Sequence, residues 1–159
     1  MTPETTLTDG SPVTPDHRDI DPTTGMQKGY VVLSEAERAK GFVRPVRHTY
    51  VHTGASICAK ALPKVTDLPL GGKIRICALP HGHSGECGVV SRTVSRPEWV
   101  RASDSHRWGG CGVATKMGQA LAETYARDPK FYGGTYCVGC KTHHPVGEFE
   151  WNDGAVVGS

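Results

Sequence analysis

The sequence predicts a small α+β fold with short strands, one main helix, a C-terminal hairpin and a loop-rich insertion. Three observations lead to that reading. Leu, Ile, Val and Phe make up only 30 of the 159 residues, just under the roughly 20% at which a chain becomes too poor in apolar residues to build an ample core. The one sustained helical period lies at residues 115–127, where Met117, Leu121 and Tyr125 recur at i, i+4 and i+8. Elsewhere the apolar runs are short and punctuated by Gly, Pro and Ser. The formal net charge is only +2, so self-repulsion does not explain the thin core, and a supplementary source of stability is expected. Disulfides or metal ions are the usual supplements to a thin core.

Residues 1–29 are rich in Thr, Pro, Asp and Gly, and Leu7, Val13, Ile20 and Met26 are too scattered to define an apolar face. That composition predicts a flexible N-terminal arm. The following segment, GYVVLSEAERAKGF, has an apolar run at 30–33 and then Ser34 three residues before Glu37, a capping-box signature that opens a short helix over 35–40. Gly41 can end it. In FVRPVRHTYVH, residues 42–52, Pro45 interrupts the run, after which Val46, His48 and Tyr50 alternate with Arg47, Thr49 and Val51. An edge strand finishing at His52 follows. Residues 53–110 are dense in Gly, Pro and Ser, with strands expected at 73–78 and 89–94 around the loop CALPHGHSGEC. Asp128-Pro129 stops the main helix, and EFEWNDGAVVGS alternates about Asn152-Asp153-Gly154, a hairpin turn signal. The implied organisation is an arm at 1–29, a main domain from 30–52 and 108–159, and an insertion at 53–107.

The N-terminus has neither the basic start nor the apolar run of a secretory signal, and no stretch approaches the roughly 20 apolar residues of a membrane span. A soluble protein of a reducing compartment is expected. There, cysteines close to histidines serve more often as metal ligands than as disulfide partners.

The cysteines fall into two such constellations. CVGC at 137–140 puts two thiolates on one tight turn, a strong zinc half-site. Cys111, in GGCG just before the main helix, is the natural third ligand. For the fourth, His52 competes with His143 and His144, which follow the turn as C-x2-H and C-x3-H. His52 is favoured because a ligand at a strand end elsewhere in the chain closes the tetrahedron. The second constellation is Cys77, His83 and Cys87 in a C-x5-H-x3-C array, completed by Cys58. Here His83 is preferred to His81 for its place between glycines and its tighter spacing to Cys87. Together these sets use all six cysteines, with one histidine per ion, and predict two structural Zn2+ ions. Four protein ligands leave no open position for a catalytic water. A redox role for CVGC is disfavoured because Gly-Gly-Thr-Tyr precedes Cys137, where a redox pair would open a helix. His17, His48 and His106 read as surface or strand histidines.

The segment GGCGVATKMGQALAETYARDPKFYGGTYCVGCKTHHPVGEFEWNDGAVVGS, with RDIDPTTGMQKGYVVLSEAERAKGFVRPVRHTYVH, resembles a group of uncharacterised small zinc-binding proteins encoded by bacteriophages and prophages. The part of those proteins between the strand-end histidine and the Cys-Gly is variable and can be very short, which implies that His52 lies close to Cys111. CALPHGHSGEC looks like a separate zinc-loop pattern, C-x-L-P-x-G-H-x-G-x-[HC], found in small actinobacterial and phage proteins, with Cys87 as its last ligand. The resemblance implies a source and a metal framework but no reaction.

The resulting expectation is a non-enzymatic phage accessory protein that acts as a protein-binding module in the cytoplasm of an infected host. A capsid-associated or decoration component of the virion is the alternative that gives the polar arm a surface to lie on. A nucleic-acid-binding role rests on Arg38, Lys40, Arg44 and Arg47, and on Arg92, Arg96, Arg101 and Arg107 near Trp99 and Trp108, but +2 is far from a strongly basic footprint. An enzyme would have to draw on His143 or His144 beside Glu148.

Overall fold

The computed structural model describes residues 2–62 and 72–159. Residue 1 of the expected arm and residues 63–71 of the expected insertion lie outside the described residues. In chain order the elements are β1 (Thr5–Leu7), β2 (Val31–Leu33), α1 (Glu35–Arg38), β3 (Thr49–His52), β4 (Gly54–Ser56), β5 (Ile74–Cys77) and β6 (Ser91–Val94). They continue with α2 (Arg96–Ser105), β7 (Arg107–Gly109), β8 (Ala114–Lys116), α3 (Gln119–Arg127), β9 (Gly134–Cys137), β10 (Thr142–Pro145), a 3-10 turn at Val146–Glu148 and β11 (Phe149–Trp151). This is a small α+β protein, and it divides into two compact units, Met1–His52 with Cys111–Ser159, and Thr53–Gly110.

In the first unit, β3 is the central strand of the antiparallel sheet β11-β3-β8, where the sequence pointed to an edge. Pro45 misdirects that reading: it precedes β3, so its missing N–H falls outside the ladder. Tyr50 pairs with Trp151 on one side and Thr115 on the other, and His52 pairs with Phe149. The sheet buries Tyr50, Phe149 and Trp151 in one core with Met117, Ala122, Tyr125, Cys137 and Val157. Tyr50 meets both Phe149 and Trp151 edge-on, the arrangement that aromatic quadrupoles favour. The main helix starts at Gln119, four residues later than the periodicity suggested, because residues 114–116 pair as β8 and Gly118 is extended. Its end at Asp128, before Pro129, is as the sequence implies.

Ser34 caps α1, its hydroxyl accepting the Glu37 N–H at 3.2 Å, and Arg38 at the helix end bonds the Leu33 carbonyl and pairs with Glu123 on α3. The C-terminal turn forms at Asn152-Asp153-Gly154: the Gly154 N–H donates to Trp151 O and the Trp151 N–H to Ala155 O. The return strand is reduced to a single bridge, Glu150 to Val156. Within the segment read as an arm, Thr5–Leu7 forms β1 and pairs antiparallel with β2, Thr5 opposite Leu33 and Leu7 opposite Val31. The Tyr136 hydroxyl donates to the Thr24 carbonyl, a second tie from that segment to the unit.

The second unit contains two antiparallel pairs, β4 with β7 and β5 with β6, and the ten-residue helix α2. Its core is Ile57, Ala59, Ile76, Val94 and Ala102, with Ile74, Ala78, Trp99 and Trp108 packed against it. Among the described residues, the sequence reading of one main helix is therefore corrected: α2 and α3 are of similar length. The N-terminal signal for α2 is present in Ser95-Arg-Pro-Glu98. The Ser95 hydroxyl accepts the Glu98 N–H at 3.4 Å, and the Glu98 carboxylate accepts the Ser95 N–H at 2.8 Å, a reciprocal capping box. Its apolar face is slight, with Ala102 alone fully buried, so periodicity does not reveal it. Among the described residues, no helix is long and apolar enough to cross a membrane.

Candidate metal centres

Two strand ends and two tight turns build the first cluster. His52 closes β3, and its backbone is gripped by the chain returning at Cys111: the His52 N–H meets Val113 O at 3.4 Å, and the Gly112 N–H donates to His52 O at 2.9 Å. That pairing sets Cys111 beside the His52 ring. Cys137 closes β9, and the turn to β10 carries Cys140 back over it, with the Lys141 N–H on Cys137 O at 2.8 Å. Thr115 on β8 anchors the same turn by accepting the Val138 N–H at 3.0 Å. The ligand-type atoms of His52, Cys111, Cys137 and Cys140 all lie within 4.8 Å of one another. Cys111 Sγ is 3.4 Å from Cys137 Sγ, and Cys140 Sγ is 3.4 Å from His52 Nδ1. His52 and Cys137 are buried, while Cys111 is exposed.

Gly139 matters here for space. A Cβ on it would stand 2.9 Å from Cys111 Sγ and 2.7 Å from Val113 Cβ, inside contact distance. In the second cluster the glycines serve the backbone instead: Gly82 and Gly85 take φ of 80° and 88° with open space around them, a region other residues enter at a cost.

The second cluster gathers Cys58, Cys77, His83 and Cys87, again within 4.8 Å of one another. Cys77 ends β5, and the Cys58 N–H donates to Leu79 O at 2.7 Å, which lays residues 57–59 alongside the strand end. The loop after Pro80 then turns back so that His83 Nε2 lies 3.5 Å from Cys77 Sγ and 3.6 Å from Cys87 Sγ, with Cys58 and Cys87 sulfurs 3.9 Å apart. The other ring nitrogen, Nδ1, faces the Ser84 carbonyl at 3.2 Å. A carbonyl only accepts, so Nδ1 carries the proton and Nε2 presents its lone pair to the sulfurs.

The sulfurs sit where backbone donors favour thiolates. Partial desolvation of its sulfur opposes ionisation of Cys111, but the Val113 N–H and the neighbouring thiols and imidazole outweigh it and bring the group to about 7. Cys77 likewise falls to about 7 against burial, through the N–H groups of Leu79 and Gly88. Each then holds a neighbour protonated: burial, with Cys137 and Cys111 beside it, pushes Cys140 up to about 12, and burial with Cys77 and Cys58 pushes Cys87 to about 11. Three thiols crowded around one point repel as thiolates, and a cation at that point removes the conflict. All six cysteines are free thiols, and a disulfide within either cluster would leave the third sulfur and the histidine without a purpose.

The structure thus brings together the eight residues singled out by spacing, in the same two sets. The competing histidines belong to neither four-residue set. His81 stacks on His106 with ring centroids 3.6 Å apart, and His143 bonds the Tyr30 hydroxyl at 2.9 Å. His144 stacks against His52 at 4.4 Å. A third grouping of His52, His144 and Glu148 follows from it. Glu148 Oε1 lies 3.0 Å from His52 Nε2, a contact sequence reasoning missed because it depends on the register of β11 against β3. Both clusters have the geometry to hold a metal ion. Compared with models of protein families, with curated proteins and with solved structures, the chain matches none.

Proposed function

We propose that this chain is a non-enzymatic accessory protein of phage origin in which each cluster holds one structural Zn2+, and whose surface binds a protein partner. One observation carries the zinc reading. A tetrahedral ion with Zn–S of about 2.3 Å and Zn–N of about 2.0 Å has S···S edges near 3.8 Å and S···N edges near 3.5 Å. Five of these edges measure 3.4 and 3.9 Å between sulfurs, and 3.4, 3.5 and 3.6 Å between sulfur and nitrogen, and every other ligand-atom pair within a cluster lies within 4.8 Å. Three thiolates and an imidazole suit zinc above the harder divalent cations. Four protein ligands per ion make the sites structural, since a catalytic zinc keeps one position for water. The small core of the second unit gives the ion a clear task in stabilising it.

The binding role is supported by apolar side chains left in solvent next to the second cluster: Val89 and Val90 are 80% and 50% exposed. The phage origin rests on the resemblance of the two long segments to phage and prophage proteins, and with that origin goes a location in the infected cell's cytoplasm or in the particle. The test is native mass spectrometry of protein purified without chelator, followed by quantitative co-purification from infected cells with wild type and a Val89→Ser/Val90→Ser variant. Two zinc ions, and a protein partner enriched by the wild type and lost by the variant, are expected. Absence of zinc removes the metal reading, and equal recovery with both proteins removes the surface.

A further inference from the structure

We propose that Glu148 is a positioning residue for the first ion, its carboxylate accepting the Nε2 proton of His52 and so fixing the tautomer and ring angle that aim Nδ1 at Cys111, Cys137 and Cys140. The inference rests on the reading of that cluster as an ion site, and goes beyond it by assigning a residue outside the four ligands.

A neutral imidazole has one donor and one acceptor nitrogen. The Cys111 N–H, which can only donate, lies 3.3 Å from His52 Nδ1, so Nδ1 carries the lone pair. The proton is therefore on Nε2, 3.0 Å from Glu148 Oε1. His52 is 1% exposed, which leaves little room for water to replace the carboxylate. The ring is also clamped, by His144 at 4.4 Å and 18° on one side and by Phe149 at 4.8 Å. The placement follows from the sheet: Phe149 pairs with His52 across β11 and β3, and the 3-10 turn immediately before it delivers Glu148 to the ring edge.

The second cluster makes the contrast. There the ligand nitrogen is Nε2 and the outer nitrogen meets a neutral carbonyl, that of Ser84. Two centres with the same donor set thus have different outer partners, and a carboxylate behind an imidazole raises its basicity and holds its orientation. The grouping of His52, His144 and Glu148 is by the same logic not an additional ion site, because an Nε2 that bears a proton has no lone pair to offer.

Cadmium-113 NMR tests this on the full chain, since each cluster gives its own resonance and chelator titration reads the two affinities separately. In Glu148→Ala the first resonance is expected to be lost at about 10–100-fold lower chelator than in wild type, with the second unchanged. Glu148→Gln, which retains an acceptor without the charge, should recover part of the loss, whereas a residue that merely packs would show no such graded rescue. In wild-type protein, long-range proton–nitrogen correlation should find His52 bound through Nδ1 with Nε2 protonated, a readout that stands even if a variant fails to fold. Equal first-site affinity in Glu148→Ala, binding through Nε2, or uptake of a third ion overturns the role of Glu148. A wild-type protein that takes up no ion at the first cluster overturns the ion-site reading itself, and the Glu148 role with it.

Discussion

Replacing Cys137 with Ser should dismantle the first unit and spare the second. Cys137 is fully buried, closes β9 and belongs to the core that contains Tyr50, Phe149 and Trp151. A structural zinc contributes about 10–16 kcal/mol of apparent binding free energy, and a variant that no longer holds the ion forfeits that contribution. A serine hydroxyl in that apolar site, too short to reach the ion, adds a burial penalty of roughly 1–3 kcal/mol. The loss is at least comparable with the whole net stability of about 5–15 kcal/mol typical of a folded domain. The three tryptophans report each unit by indole N–H resonance: Trp151 lies in the first core, while Trp99, whose Nε1 donates to Ala59 O at 3.0 Å, and Trp108 belong to the second. Cys137→Ser should collapse the Trp151 resonance to its unfolded position and leave the other two dispersed. Cys77→Ser should do the reverse, and each variant should carry one zinc. Collapse of all three resonances in both variants would refute the independence of the two units, and native dispersion of all three in Cys137→Ser would refute the stabilising role of the ion.

The ligand assignment is checked by counting ions in native mass spectra: His52→Ala should lose one, whereas His81→Ala, His143→Ala and His144→Ala should retain both. Gly139→Ala should keep the fold but weaken the first site by about 1–3 kcal/mol of overpacking, seen in chelator competition, because its Cβ would press on Cys111 Sγ. Metal capture at pH 7.5 should release at least one proton per ion, since Cys140 and Cys87 are held up at about 12 and 11 in the metal-free clusters. Apparent zinc affinity therefore falls as pH drops, and falls further once Cys111 and Cys77 protonate below about 7. Calorimetry in buffers of different ionisation enthalpy measures the release.

The two cysteine and histidine sets were legible because ligand chemistry demands particular residue types at short spacing, and spacing survives without knowledge of the fold. Even His52, distant in sequence from Cys111, was recognisable as the end of a strand. Contacts that depend on strand register were not. Glu148 reaches His52 only because Phe149 pairs with it, and nothing local to Val146–Glu148 signals that. The central position of β3 was hidden by Pro45, whose effect ends before Thr49. Helix α2 had its capping box in plain sight, but buries too little apolar surface to show a period. β1 escaped notice because three residues with half-buried side chains, Thr5–Leu7, carry almost no pattern of their own.

The most direct test of two Cys3His zinc sites is X-ray absorption at the zinc edge on protein purified without added metal, with the zinc content measured on the same sample. Two zinc ions per chain, each with an average shell of three sulfurs at about 2.3 Å and one nitrogen at about 2.0 Å, is the result predicted by the pairing of these eight residues. A shell dominated by oxygen or nitrogen, or a chain that carries no zinc and has its cysteines joined in disulfides, would contradict it.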